Sequence, residues 1–296
     1  MKYKSYLAII TAGILWGIIS LFVRKLNTYG LDAIQISAIR CIFTAVILLI
    51  FTLLKNPTDL KIKLKDMWCF AGTGIVSLTF FNYCYFYTIA HSQASIAVVL
   101  LYTSPIFVML FSALIFKERI TIKKFAALIL CFTGCVLVSG IFNDTISISQ
   151  RIMLLGISSG LFYALYSIFG IFALRKYNTL TVSCYTFFFA GFINLFTCRP
   201  FKIYETVCET PSILIIFLEI SVLSTLLPYF LYTYGLKKTS AGTASMLVTT
   251  EPLTGALIGI CIYNEPYDML KIAGILSIFA AVILLSVKSF RIHTHA

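Results

Sequence analysis

The chain has 296 residues, 60% of them hydrophobic and only 11% charged, with a mean hydropathy of +0.97 and a net charge of +12. A soluble domain carries about 25% charged residues, so too few are present here to coat a water-facing surface, and hydrocarbon is the solvent expected for most of it. In a soluble protein the basic excess would point to nucleic acid; with no soluble domain to carry it, nucleic acid is not an expected partner, and Lys and Arg gathered in cytoplasmic loops explain the charge instead.

In chain order, Lys2 and Lys4 precede an apolar run from Leu7 to Val23. This imitates a signal peptide, but the run exceeds the roughly 7–15 residues of an h-region and no A-x-A-like cleavage site follows. It reads as the first membrane span. Apolar stretches of about 17–25 residues are expected to cross as helices, because only a helix or a closed barrel satisfies its own backbone in lipid. The next are Ile34–Leu54, Trp68–Ala90, Ser95–Phe116 and Lys124–Ile141, followed by Ile152–Leu174, Thr181–Thr197, Ile213–Gly235, Gly242–Tyr263 and Met269–Val287. The expected fold class is therefore an all-α integral membrane protein of ten transmembrane helices.

Basic residues orient these spans. With the N-terminus inside, Lys55, Lys61, Lys63, Lys65, Lys117, Arg119, Lys123, Lys124, Arg175, Lys176, Lys237, Lys238, Lys288 and Arg291 join Lys2 and Lys4 on the inner side. Only Arg24, Lys25, Arg151, Arg199, Lys202 and Lys271 fall outside. The positive-inside bias predicts a multi-pass protein of the cell membrane with both termini cytoplasmic.

The chain also repeats itself. Residues 85–139 align without a gap to residues 232–286: Tyr85 meets Tyr232, Tyr87 meets Tyr234, and Ala94 and Ala97 meet Ala241 and Ala244. Pro105 meets Pro252, Glu118 meets Glu265, Lys124 meets Lys271, and Ser139 meets Ser286. Apolar matches between membrane helices come cheaply; ungapped coincidence of Pro, Glu and Lys does not. Arg24–Lys25 and Arg175–Lys176 end the first helix of each half. Two halves, 1–147 and 148–296, are expected to carry five spans each. An odd number places the second copy upside down, an architecture of transporters whose substrate site lies near the midplane between the halves.

Several short motifs carry a resemblance. They are Ile14-Leu15-Trp16-Gly17 with Val23-Arg24, Ile39-Arg40, Ser104-Pro105 with Phe116-Lys117-Glu118, and Glu251-Pro252 with Asn264-Glu265. In order and spacing they resemble the EamA-type transporters of the drug/metabolite transporter superfamily over nearly the whole chain. That resemblance implies two inverted five-helix repeats around a central cavity lined by helices 1, 3, 4, 6, 8 and 9, and a family that includes exporters of amino acids and other metabolites. Asn264 departs from the Gly the family often has there, which concerns the turn and not the substrate.

Charges inside spans are costly and mark functional suspects. Glu251 is the deepest, and it either meets a substrate cation or proton or is held structurally, hydrogen-bonded or salt-bridged to Arg40. Arg40 is weighed as a substrate-carboxylate clamp against a structural pair; the peripheral place of its helix in the family favours the structural reading. Glu219 is shallow. Trp16, Asn82, Tyr102, Tyr163, Tyr166 and Tyr229 join Glu251 as expected substrate-binding residues, since their polar groups need partners in a dry medium. Tyr85, Tyr87, Tyr232 and Tyr234 are read as an interfacial belt. Pro105 and Pro252 interrupt two spans at matching places and are expected hinges, whereas Pro228 matches Phe81. Glu118 and Glu265 end long spans and are expected to be structural, accepting hydrogen bonds from the N–H groups that open the following helix.

Other chemistry finds little support. Gly156-Ile157-Ser158-Ser159-Gly160 fits G-x-S-x-G, but a hydrolase needs that Ser on a strand-to-helix elbow with a His base, and the only histidines are His91, His293 and His295. Close helix packing explains the small residues better. Cys131 and Cys135 read as core and not as metal ligands; Cys198 and Cys208 flank one loop and could pair if it lies outside. No nucleotide-binding G-x-x-x-x-G-K-[ST] loop is present, and no metal or cofactor is expected. The expectation is a secondary transporter, in the direction of export, for a small metabolite such as an amino acid. A coupling proton or an exchange substrate is left open, and a channel-like facilitator or an intramembrane enzyme stands as the alternative.

Overall fold

The computed structural model describes residues 2–92, 94–141, 149–265 and 268–291. His293 and His295, and the side chains of Lys2, Ala94, Lys288 and Arg291, fall outside the described residues. Long helical stretches follow one another: α1 (Tyr3–Asn27), α2 (Ala33–Lys55), α3 (Met67–Ala71, Gly72–Thr79 and Phe80–His91 end to end), α4 (Ser95–Phe116), α5 (Ile122–Val138), α6 (Gln150–Leu174), α7 (Thr179–Thr197), α8 (Ile213–Leu236), α9 (Ala241–Tyr263) and α10 (Met269–Arg291). A short helix, Pro200–Glu209, lies between α7 and α8. Eight of the long stretches, all except α3 and α5, are long and apolar enough to cross a membrane. The shortfall in α3 lies in its composition: Asn82, Tyr83, Tyr85 and Tyr87 dilute its apolar run. In α5 it lies in length, 17 residues, or about 26 Å at 1.5 Å per residue.

The helix starts follow from their caps. Asp32 opens α2 with a full capping box, accepting from Gln35 N at 2.8 Å while its own N–H donates to Gln35 Oε1 at 2.9 Å. Thr121, Ser149, Asn178 and Ser240 cap α5, α6, α7 and α9 in the simpler form. Each satisfies an N–H that the first turn leaves without a helical partner.

The internal repeat continues into the backbone. In α3, Gly72–Thr79 is π-helical; in α8, Val222–Leu226 is π-helical at the matching position. α4 breaks between Leu101 and Ser104, and α9 between Leu247 and Thr250, each just ahead of its proline. α4 and α9 then end on left-handed residues, Lys117 at φ 54° and Asn264 at φ 52°. Asn tolerates that conformation well, so the departure at Asn264 keeps the turn. Packing is reciprocal as well. α1 packs on α8 and α9, while α6 packs on α3 and α4; α2 pairs with α7, α4 with α9, and α5 with α10. Exchanging the halves maps this set of contacts onto itself, so the two halves interlock reciprocally.

Two glycines seat the first helix of each half against a broken helix of the other. A Cβ on Gly13 would lie 2.9 Å from the Val248 carbonyl oxygen and 3.2 Å from Glu251 N, at the break in α9. A Cβ on Gly160 would lie 2.9 and 3.0 Å from the carbonyl oxygens of Leu100 and Leu101, at the break in α4. A Cβ on Gly156 would lie 2.2 Å from the Leu100 side chain, so the G-x-S-x-G string is a packing surface.

At one end of the bundle the halves are tied by a charge. Asp66, 2% exposed at the start of α3, is bound by Lys176 Nζ and by the Tyr177 hydroxyl at 2.8 Å, both just after α6. The Lys176 hydrogen bond, and then that of Tyr177, hold the Asp66 carboxyl below its ordinary value of 3.8. A depressed carboxylate stabilises the fold above that ordinary value, and the contribution is lost as pH falls through the folded one. Asp66→Asn should therefore lower the thermal unfolding midpoint by the same amount at every pH from 5 to 8, and the gap should close only in acid below 3.8. Scanning fluorimetry of both proteins across that range checks it.

Candidate functional site

A cavity of about 330 Å³ opens among the ends of α1, α2 and α3 and runs inward to α6, α8 and α9. Val23, Asn27, Ala33, Ile36, Phe86 and Ile89 form its mouth, and Arg40, Asn82, Tyr163, Tyr229 and Glu251 stand deeper. At the other end it is closed by rings. Trp16 meets Tyr229 edge-on with centroids 4.8 Å apart, and Tyr166 meets Tyr229 at 5.2 Å. Beneath them the Tyr232 hydroxyl lies 2.7 Å from Ser167 Oγ, and the Tyr166 hydroxyl 2.8 Å from Thr233 Oγ1. The molecule is thus open at one end and plugged by an aromatic, hydrogen-bonded layer at the other.

The polar groups on the wall are held from behind. The π-helical turn of α8 places Thr225, whose Oγ1 accepts from Arg40 Nε at 2.8 Å. Asn82 Nδ2 donates to Ser37 Oγ at 2.8 Å, pinning α3 to α2. Glu251 sits in the first turn after the break in α9, with the Tyr102 hydroxyl facing its carboxylate. Arg40 and Glu251 face the same space, yet among the described residues no ion pair joins them. Trp16 is 5% exposed, and among the described residues its Nε1 has no hydrogen-bond partner. The site therefore offers a fixed guanidinium, a carboxylate and a set of aromatic walls, chemistry suited to holding a small amphipathic molecule.

Among the residues expected to bind substrate, Trp16, Asn82, Tyr163, Tyr229 and Glu251 line this cavity. Tyr102 and Tyr166 do not line it; they stand behind Glu251 and Tyr229. Arg40, expected on a peripheral helix, lies in the wall because α2 contributes Ala33, Ile36 and Arg40 to it. Two of the four belt tyrosines are reassigned. Tyr85 faces the cavity, and Tyr232, 4% exposed, belongs to the closed layer through Ser167. Sequence position near a span end could not reveal this, since the cavity itself reaches the span ends. Pro105 and Pro252 stand in the first turn after their helix breaks. Glu219 is exposed on α8, and Cys198 and Cys208 are free thiols.

Glu118 and Glu265 lie away from the cavity wall. Glu118 accepts from Ala241 N at 3.2 Å and from Lys124 Nζ at 3.3 Å. The helix it caps is α9 of the other half, where the sequence had suggested the following helix: the turn after Lys117 aims the carboxylate across the interface. Glu265 is bound by Arg24 and by Lys271 Nζ at 3.7 Å, and Arg24 also stacks 3.9 Å over the Tyr263 ring.

Comparisons with known proteins agree with this architecture. The model of the EamA-like transporter family matches twice, over residues 3–140 and 150–287. An uncharacterized inner membrane transporter YicL of Salmonella typhimurium is 29% identical, with 97% of each chain covered. An uncharacterized transporter of Archaeoglobus fulgidus is 25% identical over 92% of this chain and 94% of its own. One of Clostridium kluyveri is 25% identical over 95% and 92%. A solved crystal structure superposes with a TM-score of 0.80 over 99% of this chain and 100% of its own at 14% identity, a likeness of fold alone. The protein is a multi-pass membrane protein of transporter type, and the chain belongs to the EamA-like transporter family.

Proposed function

We propose that this protein is a secondary transporter that exports small zwitterionic metabolites such as amino acids, by alternating access between two inverted five-helix halves. The observation that carries the reading is the unbridged pair Arg40 and Glu251 in one cavity open at one end only. A zwitterion presents a carboxylate to the first and an ammonium to the second, and the surrounding rings hold its apolar part. Trp16, Asn82, Tyr163 and Tyr229 touch that substrate; Tyr102 and Tyr166 orient the groups that do. Pro105 and Pro252 serve as hinges, and Arg40 also holds α2 to α8 through Thr225. Reconstituted into liposomes, the protein should show saturable uptake and counterflow of an amino acid. Flux that rises linearly with concentration and shows no counterflow is the signature of a pore and would sink the carrier.

Ten spans are part of this reading, with α3 and α5 crossing alongside the eight longer or more apolar helices. An odd five per half inverts the second half, and the basic bias puts both termini in the cytoplasm, so that the cavity faces outward. A single cysteine at His91 should then react with an impermeant thiol reagent added outside, and one at Lys63 only after the reagent is admitted inside. The reverse pattern would turn the molecule over.

Glu118 and Glu265 are structural in this scheme, one at each membrane face. The repeat pairs Arg24, Tyr263 and Glu265 with Arg175, Phe116 and Glu118. Arg24 binds Glu265, whereas Arg175 stacks 5.0 Å over Phe116 while Glu118 caps α9. Exchanging the roles of the halves gives Arg175 the carboxylate in the opposite state. Arg24→Gln should favour that state and Arg175→Gln the one described. Exposed ion pairs contribute about 0.2–1 kcal/mol, so a cysteine at Ser167, beneath the closed layer, should label up to about fivefold faster from the cytoplasm in the first variant and more slowly in the second. Equal rates would remove the exchange.

A further inference from the structure

Away from the transport cavity, at the α2–α3 end of the bundle, Lys61, Lys63, Lys65, Asp66, Lys176 and Tyr177 surround an open pocket of about 410 Å³. The segment from Lys61 to Lys63 is extended, with φ/ψ of −77/110° at the first and −84/132° at the second. Alternate residues of an extended segment share a side, which brings Lys61 and Lys63 to one pocket, and the 3-10 turn Leu64–Asp66 that follows brings Lys65 to it. Asp66 is already taken by Lys176 and Tyr177. The Lys63 N–H donates to the Tyr177 hydroxyl at 3.0 Å, which fixes the segment of one half against the other. Among the described residues no ion pair is made by the ammonium groups of Lys61, Lys63 or Lys65. The pocket thus gathers four lysines around one carboxylate, Asp66, which Lys176 and Tyr177 already hold.

Its surroundings say where it lies. Leu64, between two of these lysines, is 83% exposed, and Leu54 at the end of α2 is 83% exposed; Met67 and Trp68, opening α3, are 36% and 50% exposed. Large apolar side chains bare beside a basic pocket, at the ends of two long helices, belong at the boundary of the bilayer, where Trp and Lys collect. We infer that the pocket formed by Lys61, Lys63, Lys65 and Lys176 binds the phosphate of an anionic phospholipid, whose acyl chains lie along Leu64 and Trp68. A phosphate there contacts both halves at the point where Asp66 already links them, so the bound lipid stabilises the closed arrangement of this end.

The test uses the full chain purified in detergent, with phosphatidylglycerol and phosphatidylcholine added separately, and native mass spectrometry to count retained lipid. Phosphatidylglycerol should be retained and should raise the thermal unfolding midpoint, and phosphatidylcholine should do neither. A basic residue near an anionic surface is worth about fivefold in binding. The Lys61→Gln, Lys63→Gln, Lys65→Gln triple variant should therefore weaken retention on the order of 100-fold, with an unchanged midpoint in phosphatidylcholine. An equal loss from Lys117→Gln, Lys237→Gln, Lys238→Gln would show general surface charge in place of a site. Inorganic phosphate stabilising as strongly as phosphatidylglycerol would replace the lipid with a soluble phosphate. Retention unaffected by the first triple variant would overturn the proposal outright.

Discussion

Glu251→Gln should reduce transport by about 10- to 100-fold while leaving the folded protein intact. A hydrogen bond to a charged group contributes about 1.5–3 kcal/mol, and the glutamine keeps the shape and the acceptor that faces Tyr102 while removing the charge. The loss should fall on substrates that carry an ammonium and spare analogues that lack one. Arg40→Gln should show the mirror pattern, falling on substrates with a carboxylate. The two substitutions together should cost less than the sum of each alone, because the second charge has nothing to hold once the first end of the zwitterion is free. Uptake measured in liposomes, with each analogue at several concentrations and pH values, checks the set. If Glu251→Gln transports at the wild-type rate with the wild-type pH dependence, the carboxylate does not meet the substrate.

Much of the fold was legible because bilayer physics leaves few choices. Long apolar runs must be helices, and the places where they end are set by turn and cap residues such as Asp32, Asn178 and Ser240, which a sequence displays openly. The repeat was legible for a different reason. Pro105 with Pro252 and Glu118 with Glu265 are rare residues in an apolar chain, and the structure gives each pair one geometry, a broken helix followed by a left-handed turn.

The candidate site was legible only in part. Glu251, Trp16, Asn82, Tyr163 and Tyr229 announced themselves as polar groups deep in apolar runs. Arg40 did not, because its depth is a property of how α2 leans on α8, and that contact rests on Thr225 in a π-helical turn that no local pattern marks. Tyr85 and Tyr232 were misplaced for a related reason. Each lies near a span end, where an interfacial role is the ordinary one; what distinguishes them is which helix they face. The partner of Glu118 was also hidden, since Ala241 is distant in sequence and offers only a backbone N–H.

The glycines provide the second large expected effect and a check on the symmetry itself. Gly13→Ala and Gly160→Ala should each destabilise the protein by about 1–3 kcal/mol, the usual cost of forcing added atoms into a packed interior. The obstacle at each site is a threonine hydroxyl, Thr250 Oγ1 at 2.1 Å and Thr103 Oγ1 at 2.5 Å, backed by backbone: carbonyl oxygens of Val248 and of Leu100 and Leu101 within 3.0 Å of where the methyl would stand. Side chains can turn aside, whereas a carbonyl at a helix break moves only with the break. Gly255→Ala, in α9, serves as the control, since among the described residues nothing lies within 4 Å of its added Cβ. There the change should be neutral or stabilising, by up to about 1 kcal/mol of helix propensity. Thermal unfolding in detergent distinguishes the two signs. Transport should separate the sites further. Gly13 and Gly160 seat α1 and α6 against the two breaks that carry Pro252 and Pro105, so crowding either one should slow the cycle beyond what lost stability explains. If all three alanines behave alike, the close approach of the first helix of each half to the broken helix of the other is not what holds the halves together.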